Sequence, residues 1–202
     1  KIKEEKIFVI HLGVDKNIFF KKKIKQYNFK NFILYVGNRK AYKNFTLFIE
    51  SFALIKNKEV NLILFGGESL SYDEKKLLKK FKLEHRVFYE NGDDHKLSAL
   101  YNNAKFLVYP SKYEGFGLPV LEAMSCGCPV IAGNHSSIIE VANDSALLID
   151  VSNKKTIMES INELLENKKK REVLSKKGLE RSKKFSWEKC AKETFEVYES
   201  LI

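Results

Sequence analysis

Two carboxylates, Glu114 and Glu122, stand eight positions apart around a glycine-bearing turn in the stretch Tyr109-Pro110-Ser111-Lys112-Tyr113-Glu114-Gly115-Phe116-Gly117-Leu118-Pro119-Val120-Leu121-Glu122-Ala123-Met124. Carboxylates accept hydrogen bonds from sugar hydroxyls, and the amides that open a helix attract phosphate. A turn bringing both together suits a ligand with hydroxyls on one part and phosphate on another. The run Ala104 to Tyr109 is short and mostly apolar and stops at Pro110, where the backbone donor is lost, which predicts a buried strand. Pro119 fits a first helical turn, with Val120, Leu121, Ala123 and Met124 as apolar fillers behind it. Glu114 then falls in the loop and Glu122 about one turn inside the helix, so both can face one ligand. Gly115 and Gly117 let the loop backbone approach closely, and the helix opening at Leu118 points its N–H groups at the same spot. A Glu near a helix start also serves simply as a dipole partner, and the spacing alone leaves that alternative open.

Strand-length apolar runs alternate with helix-length amphipathic segments along the chain. Phe32 to Val36 precedes Phe45 to Ile55; Asn61 to Phe65 precedes Asp73 to Phe81; Val87 to Tyr89 precedes Lys96 to Asn102. Pro129 to Ala132 precedes Ser137 to Val141, and Ala146 to Ile149 precedes a largely helical tail. The alternation predicts an α/β fold with a doubly wound, Rossmann-like parallel sheet, whose ligands bind at the carboxyl ends of the strands. Helix starts are marked by Asp93 and Asp94, by Ser152 or Asn153, and by Ser186 before Trp187. Asp93-Asp94 reads as a cap rather than a metal pair, because no third oxygen ligand stands near it.

With 202 residues, 44% of them apolar, the chain can bury a core without staples, and one domain is the default. No apolar run approaches the roughly 20 residues that cross a bilayer, and Lys1-Ile2-Lys3-Glu4-Glu5 is no signal peptide. Cys126 and Cys128 are separated by one residue, a spacing unsuited to a disulfide or a zinc site, and with Cys190 they read as reduced thiols. The net charge of +10 is scattered over lysine tracts at 21–23, 79–80, 168–170 and 183–184. Such an excess favours anionic partners such as nucleotide diphosphates or acidic lipid headgroups; no nucleic-acid-binding signature accompanies it. His135, after the Pro129 to Ala132 strand, is either a loop histidine or a group that approaches the ligand.

The motif Glu-Gly-Phe-Gly-Leu-Pro-Val-Leu-Glu-Ala-Met, continued by Ser125-Cys126-Gly127-Cys128-Pro129-Val130-Ile131-Ala132 and Ser137-Ile138-Ile139-Glu140-Val141, resembles the donor-binding, C-terminal half of family-four retaining glycosyltransferases of the GT-B fold. The likeness runs upstream through Tyr35-Val36-Gly37-Asn38-Arg39-Lys40-Ala41-Tyr42-Lys43-Asn44 and on to Phe185-Ser186-Trp187-Glu188. It implies that Glu114 contacts the transferred sugar, Glu122 the ribose hydroxyls, and the amides near Gly117 and Leu118 the diphosphate, with Gly115 and Phe116 in the same loop. It also implies that Arg39 and Lys43, past the Gly37 turn, neutralise the leaving diphosphate. Asn38 stands where many members carry the Arg, and an exposed basic turn is the alternative for both cations. The turn at Gly66, with Tyr89, Lys96 and Leu97, matches the place where the family holds the nucleobase.

The resemblance further implies transfer of a hexose, with mannose as the candidate, from a nucleotide-diphosphate sugar to a glycan or lipid-linked acceptor in surface polysaccharide synthesis. No metal and no cofactor beyond the donor is implied. Residues 1–20 resemble the interdomain linker strand and turn, 21–185 the donor domain, and 186–202 the crossing helix that touches an N-terminal acceptor domain. An isolated donor half is expected to bind and not to catalyse. The implied location is cytoplasmic, with peripheral contact at an anionic inner membrane face and no nucleic-acid partner. The alternatives are a non-catalytic nucleotide-binding or scaffolding module and a glycogen synthase or phosphorylase relative; no pyridoxal-phosphate lysine is assignable for a phosphorylase.

Overall fold

A computed structural model describes residues 3–24 and 29–201. Of the expected linker and terminal helix, residues 1, 2 and 202 lie outside the described residues, as do 25–28 of the expected donor domain. Six strands form one parallel sheet: β1 (Phe32–Val36), β2 (Asn61–Phe65), β3 (Val87–Glu90), β4 (Leu107–Tyr109), β5 (Val130–Gly133) and β6 (Leu147–Ile149), in the order β3-β2-β1-β4-β5-β6. The helices are α1 (Phe45–Leu54), α2 (Tyr72–Lys80), α3 (Asp94–Asn103), α4 (Leu118–Ser125), α5 (Ser136–Ala142), α6 (Lys154–Glu166), α7 (Lys168–Ser182) and α8 (Trp187–Glu199).

The central strands are apolar at successive positions because both faces of the sheet are covered. Phe32 and Leu34 of β1 pack with Leu107 and Tyr109 of β4 against the apolar faces of α3, α4 and α5. Ile33 and Tyr35 point the other way, into Phe48, Ile49 and Phe52 of α1 and Ile157 and Ile161 of α6. The chain thus winds outward from β1 to β3 on one face, returns across the sheet through α3, and winds outward from β4 to β6 on the other. Strand order reverses between β1 and β4, and a single register pair, Leu34 opposite Leu107, joins them. β1 and β2, by contrast, stay in register to Val36 and Phe65. The carboxyl ends of β1 and β4 are therefore not laced together, which is where a doubly wound sheet opens a crevice.

Asp93, Asn153 and Ser186 each cap the following helix through a side-chain oxygen. At α2 the helix starts one residue before the expected Asp73, because Ser71 and Glu74 form a reciprocal capping box. The strand expected from Ala104 is shorter, β4 beginning at Leu107, although Lys105 N–H already donates to Phe32 and Leu34 N–H to Phe106. The helical tail resolves into α6, α7 and α8. α8 has no buried residue, and its Phe195 and Tyr198 are 60% and 62% exposed. The N-terminal segment passes close to the start of α8 at Gly13, where a Cβ would stand 2.1 Å from the Trp187 nitrogen. Ile7, Phe8 and Val9 lie exposed along the same region.

Candidate active site at the sheet crossover

The turn after β1 sends two cations in opposite directions. Gly37 takes φ +117°, a conformation that side-chain-bearing residues rarely hold, and lets the chain leave the strand sharply. Asn38 follows, its carbonyl accepting from the Tyr35 hydroxyl at 2.9 Å. A 3-10 turn over Ala41–Lys43 then delivers Lys43 to the crevice, and α1 begins at Phe45 as expected, after Asn44. Lys43 Nζ lies 2.6 Å from Glu114 Oε1 and donates to the Tyr109 hydroxyl at 2.8 Å. These groups come from the loop after β1 and from the end and following loop of β4, so the ion pair spans the crossover. Both partners are nearly buried, at 10% and 12% side-chain exposure, which reduces screening by water.

Arg39 turns away from this point. Its Nε donates to Glu74 Oε1 at 2.7 Å, one terminal nitrogen donates to the Gly66 carbonyl at 3.0 Å, and the other reaches the carbonyls of Glu68 and Ser69. The guanidinium fork is spent on the turn after β2 and the first turn of α2. Contact with phosphate would require it to give up those partners. Gly66 N–H donates to the Glu90 carbonyl and the Tyr89 hydroxyl to the Gly67 carbonyl, so the ends of β2 and β3 are tied to each other. Lys96 reaches back to Glu90 at 2.6 Å and to the Asn91 carbonyl at 2.7 Å. Leu97, one residue further along α3, turns into the core and is 7% exposed.

Glu122 has partners different from those of Glu114. It faces α3, where the buried Tyr101 hydroxyl donates to its Oε2 at 3.0 Å. Burial raises the Glu122 carboxyl to about 7, Tyr101's hydrogen bond works against the rise, and the charge of Asp94 adds to it. Gly117 caps α4 with φ +102° and without a side-chain cap, its carbonyl accepting from Val120 and Leu121. A Cβ there would meet Ile138 Cδ1 at 2.4 Å. This close approach of α4 to α5 is what the glycine permits.

Beside Glu114 a cleft of about 500 Å³ is lined by Glu114, Gly115 and Phe116 on one side and by His11, Ser136 and Glu140 on the other. His11 packs on Phe116 and edge-on to Phe185, with its Nε2 3.5 Å from Glu140. The structure therefore gathers Lys43, Glu114, Gly115, Phe116 and Gly117 around one crevice. It places Gly66 and Tyr89 at the neighbouring strand ends, with Lys96 of α3 reaching back to the end of β3. Sequence reasoning missed Tyr109 as the second partner of Lys43, Tyr101 as that of Glu122, and Glu74 as the anchor of Arg39. Cys126 and Cys128 are buried thiols, their ionisation opposed by burial.

A doubly wound sheet bearing a cation, two carboxylates and a glycine-capped helix at its crossover matches a known family by sequence as well: the Glycosyl transferases group 1 pattern covers residues 16–181. The chain belongs to that family. Among group 1 glycosyl transferases and related enzymes, it is 35% identical over 181 residues to O-antigen chain mannosyltransferase B of Escherichia coli, covering 87% of this chain and 48% of that protein. Among solved structures, sucrose-phosphate synthase from Thermosynechococcus elongatus superposes with a TM-score of 0.84 at 27% identity, over 95% of this chain and 52% of that one. Anabaena Alr3699/HepE, solved in complex with UDP and glucose, shares the fold with a TM-score of 0.82 at 20% identity, over 98% of this chain and 57% of that one. The chain spans about half the length of the curated relatives it matches. The architecture is the Rossmann-like half of the GT-B fold, as the motif around Glu114 implied.

Proposed function

We propose that this group 1 glycosyl transferase segment binds a nucleotide-diphosphate sugar at the β1/β4 crossover and supplies the donor side of a retaining hexosyl transfer. The observation that carries the reading is the nearly buried Lys43–Glu114 pair, which sets a cation for phosphate beside a carboxylate for sugar hydroxyls at the point where such sheets take ligands. As the bond from the anomeric carbon to phosphate oxygen breaks, negative charge builds on the diphosphate, and Lys43 with the opening amides of α4 opposes it. The acceptor oxygen bonds to the anomeric carbon, and its proton passes to the leaving phosphate. Glu114 orients the sugar and Glu122 takes the ribose hydroxyls. Gly66, Tyr89 and Lys96 border the base, while Arg39 acts through the turn it holds. No metal takes part.

Mannose is the donor sugar in this reading, supported by the mannosyltransferase relative, and surface polysaccharide is the product. The contacts to the acceptor come mainly from a further domain that covers the exposed Ile7, Phe8 and Val9 and the Phe195 and Tyr198 face of α8. Among the described residues no helix is long and apolar enough to cross a membrane. The protein works in the cytoplasm, its positive charge holding it at an anionic membrane face. Calorimetric titration with GDP, UDP, ADP and their sugar conjugates, with and without magnesium, tests the donor reading. Saturable binding of one nucleotide, unchanged by magnesium, is the expected result; absence of binding to all of them overturns it.

A further inference from the structure

Glu114 is held at three points, and two of them come from the start of α5, outside its own loop. Its carboxylate meets Lys43. Its N–H donates to Ser136 Oγ at 3.3 Å, and its carbonyl accepts from Ser137 Oγ at 2.9 Å. Both faces of one peptide residue are therefore taken by consecutive serines.

His135 completes the arrangement. Its Nε2 lies 2.6 Å from the Ser111 carbonyl, and its Nδ1 lies 3.2 Å from Ser136 Oγ. A carbonyl can only accept, so Nε2 carries the proton, and in the neutral ring Nδ1 accepts from the Ser136 hydroxyl. Ser136 Oγ is thereby left with lone pairs for the Glu114 N–H. The corner after β5 is fastened to the loop after β4 at both Ser111 and Glu114. Two further features make the contact specific. A Cβ at Gly133 would stand 2.2 Å from His135 Nε2, so the ring folds back over a position only glycine leaves open. Ser136 itself sits at φ +48°, a left-handed conformation unfavourable to a side chain, held where its hydroxyl reaches Glu114. Ser136 and Ser137 also line the cleft beside Glu114.

We infer that His135, Ser136 and Ser137 form a positioning clamp that fixes the Glu114 carboxylate against the donor's sugar, and so select for the sugar-bearing nucleotide over the bare diphosphate. The inference rests on the reading of Glu114 as the sugar-facing group. None of the three residues forms or breaks a bond; they act through the Glu114 peptide.

The test compares the full chain with the Ser136→Gly, Ser137→Ala and doubly substituted variants. Calorimetric affinities are measured for GDP against GDP-mannose and for UDP against UDP-glucose, alongside thermal melting. The double variant is expected to weaken binding of the sugar nucleotide about two- to tenfold, the worth of one or two modest hydrogen bonds, while leaving the matching diphosphate unchanged. Ser136→Gly, which relieves the left-handed backbone, is expected to melt no lower than the parent and still lose part of the sugar discrimination. Equal weakening of both ligands, or unchanged affinity for both, overturns the clamp while leaving the nucleotide site standing. If the parent chain binds none of the four ligands, the underlying site reading fails first, and the clamp with it.

Discussion

Lys43 and Glu114 are each other's counter-ion across the β1/β4 crossover, 2.6 Å apart, with the Tyr109 hydroxyl as the ammonium's second partner. A nearly buried pair of this kind is costly to halve and cheaper to remove whole, because truncating one partner strands the other charge.

Lys43→Met and Glu114→Gln should therefore each lower stability by about 1–3 kcal/mol, while the double variant costs less than their sum. Urea denaturation of the four proteins closes the cycle. Strict additivity would show that the two groups do not stabilise each other, and the crossover would lose its central feature.

Glu122 gives a pH dependence whose sign is fixed by the direction of its shift. Burial raises its folded pKa to about 7, above the ordinary carboxylate value that it regains on unfolding. The folded protein thus holds the proton more tightly between those values, and stability falls as pH rises through that window. The loss should be on the order of 2–3 kcal/mol between about pH 4.5 and 7.5, and Glu122→Gln should flatten it. Denaturant midpoints across that range decide the matter; an undiminished slope in Glu122→Gln would assign the effect elsewhere. If the carboxylate form grips ribose, nucleotide binding near neutral pH should also release a proton, readable as a dependence of the calorimetric heat on buffer ionisation.

The strands and helices were legible because both-face burial writes itself as unbroken apolar runs such as Phe32 to Val36, and caps such as Asp93, Asn153 and Ser186 are single-residue signals. The lysine-rich α7 carries too few apolar positions to announce its ends. At the site, residue types were legible and pairings were not. Nothing local to Arg39 points to Glu74, 35 positions away and busy capping α2, and nothing beside Glu122 points to Tyr101 on another helix. The Ser136-Ser137 pair looks like an ordinary helix start. Its contact with Glu114 exists only because α5 and the loop after β4 leave adjacent strands.

Arg39 is 5% exposed at its side chain and joins the turns after β1 and β2 through Glu74 and the carbonyls of Gly66, Glu68 and Ser69. Lysine keeps the charge but not the planar fork, so Arg39→Lys should still lose about 1–3 kcal/mol of stability. Hydrogen exchange should quicken in the turn at residues 66–69 while the core of β1 stays protected. Unaltered exchange there would deny Arg39 its role as the tie between the turns.

Gly37 and Gly117 separate two reasons for glycine. Both hold positive φ, at +117° and +102°, so alanine at either position is strained by the backbone alone, a cost of about 1–3 kcal/mol. At Gly37 a Cβ would meet only the end of the Lys43 side chain, at 3.8 Å. At Gly117 it would stand 2.4 Å from Ile138 Cδ1, driving α4 away from α5. Gly117→Ala should consequently lower the denaturant midpoint more than Gly37→Ala, and adding Ile138→Val, which removes the clashing methyl, should recover part of the loss in the Gly117→Ala background while destabilising the parent. Equal penalties for the two alanines, with no rescue by valine, would mean that α4 can yield at its first turn. The seating of Glu122 and of the opening amides would then not depend on the contact between α4 and α5.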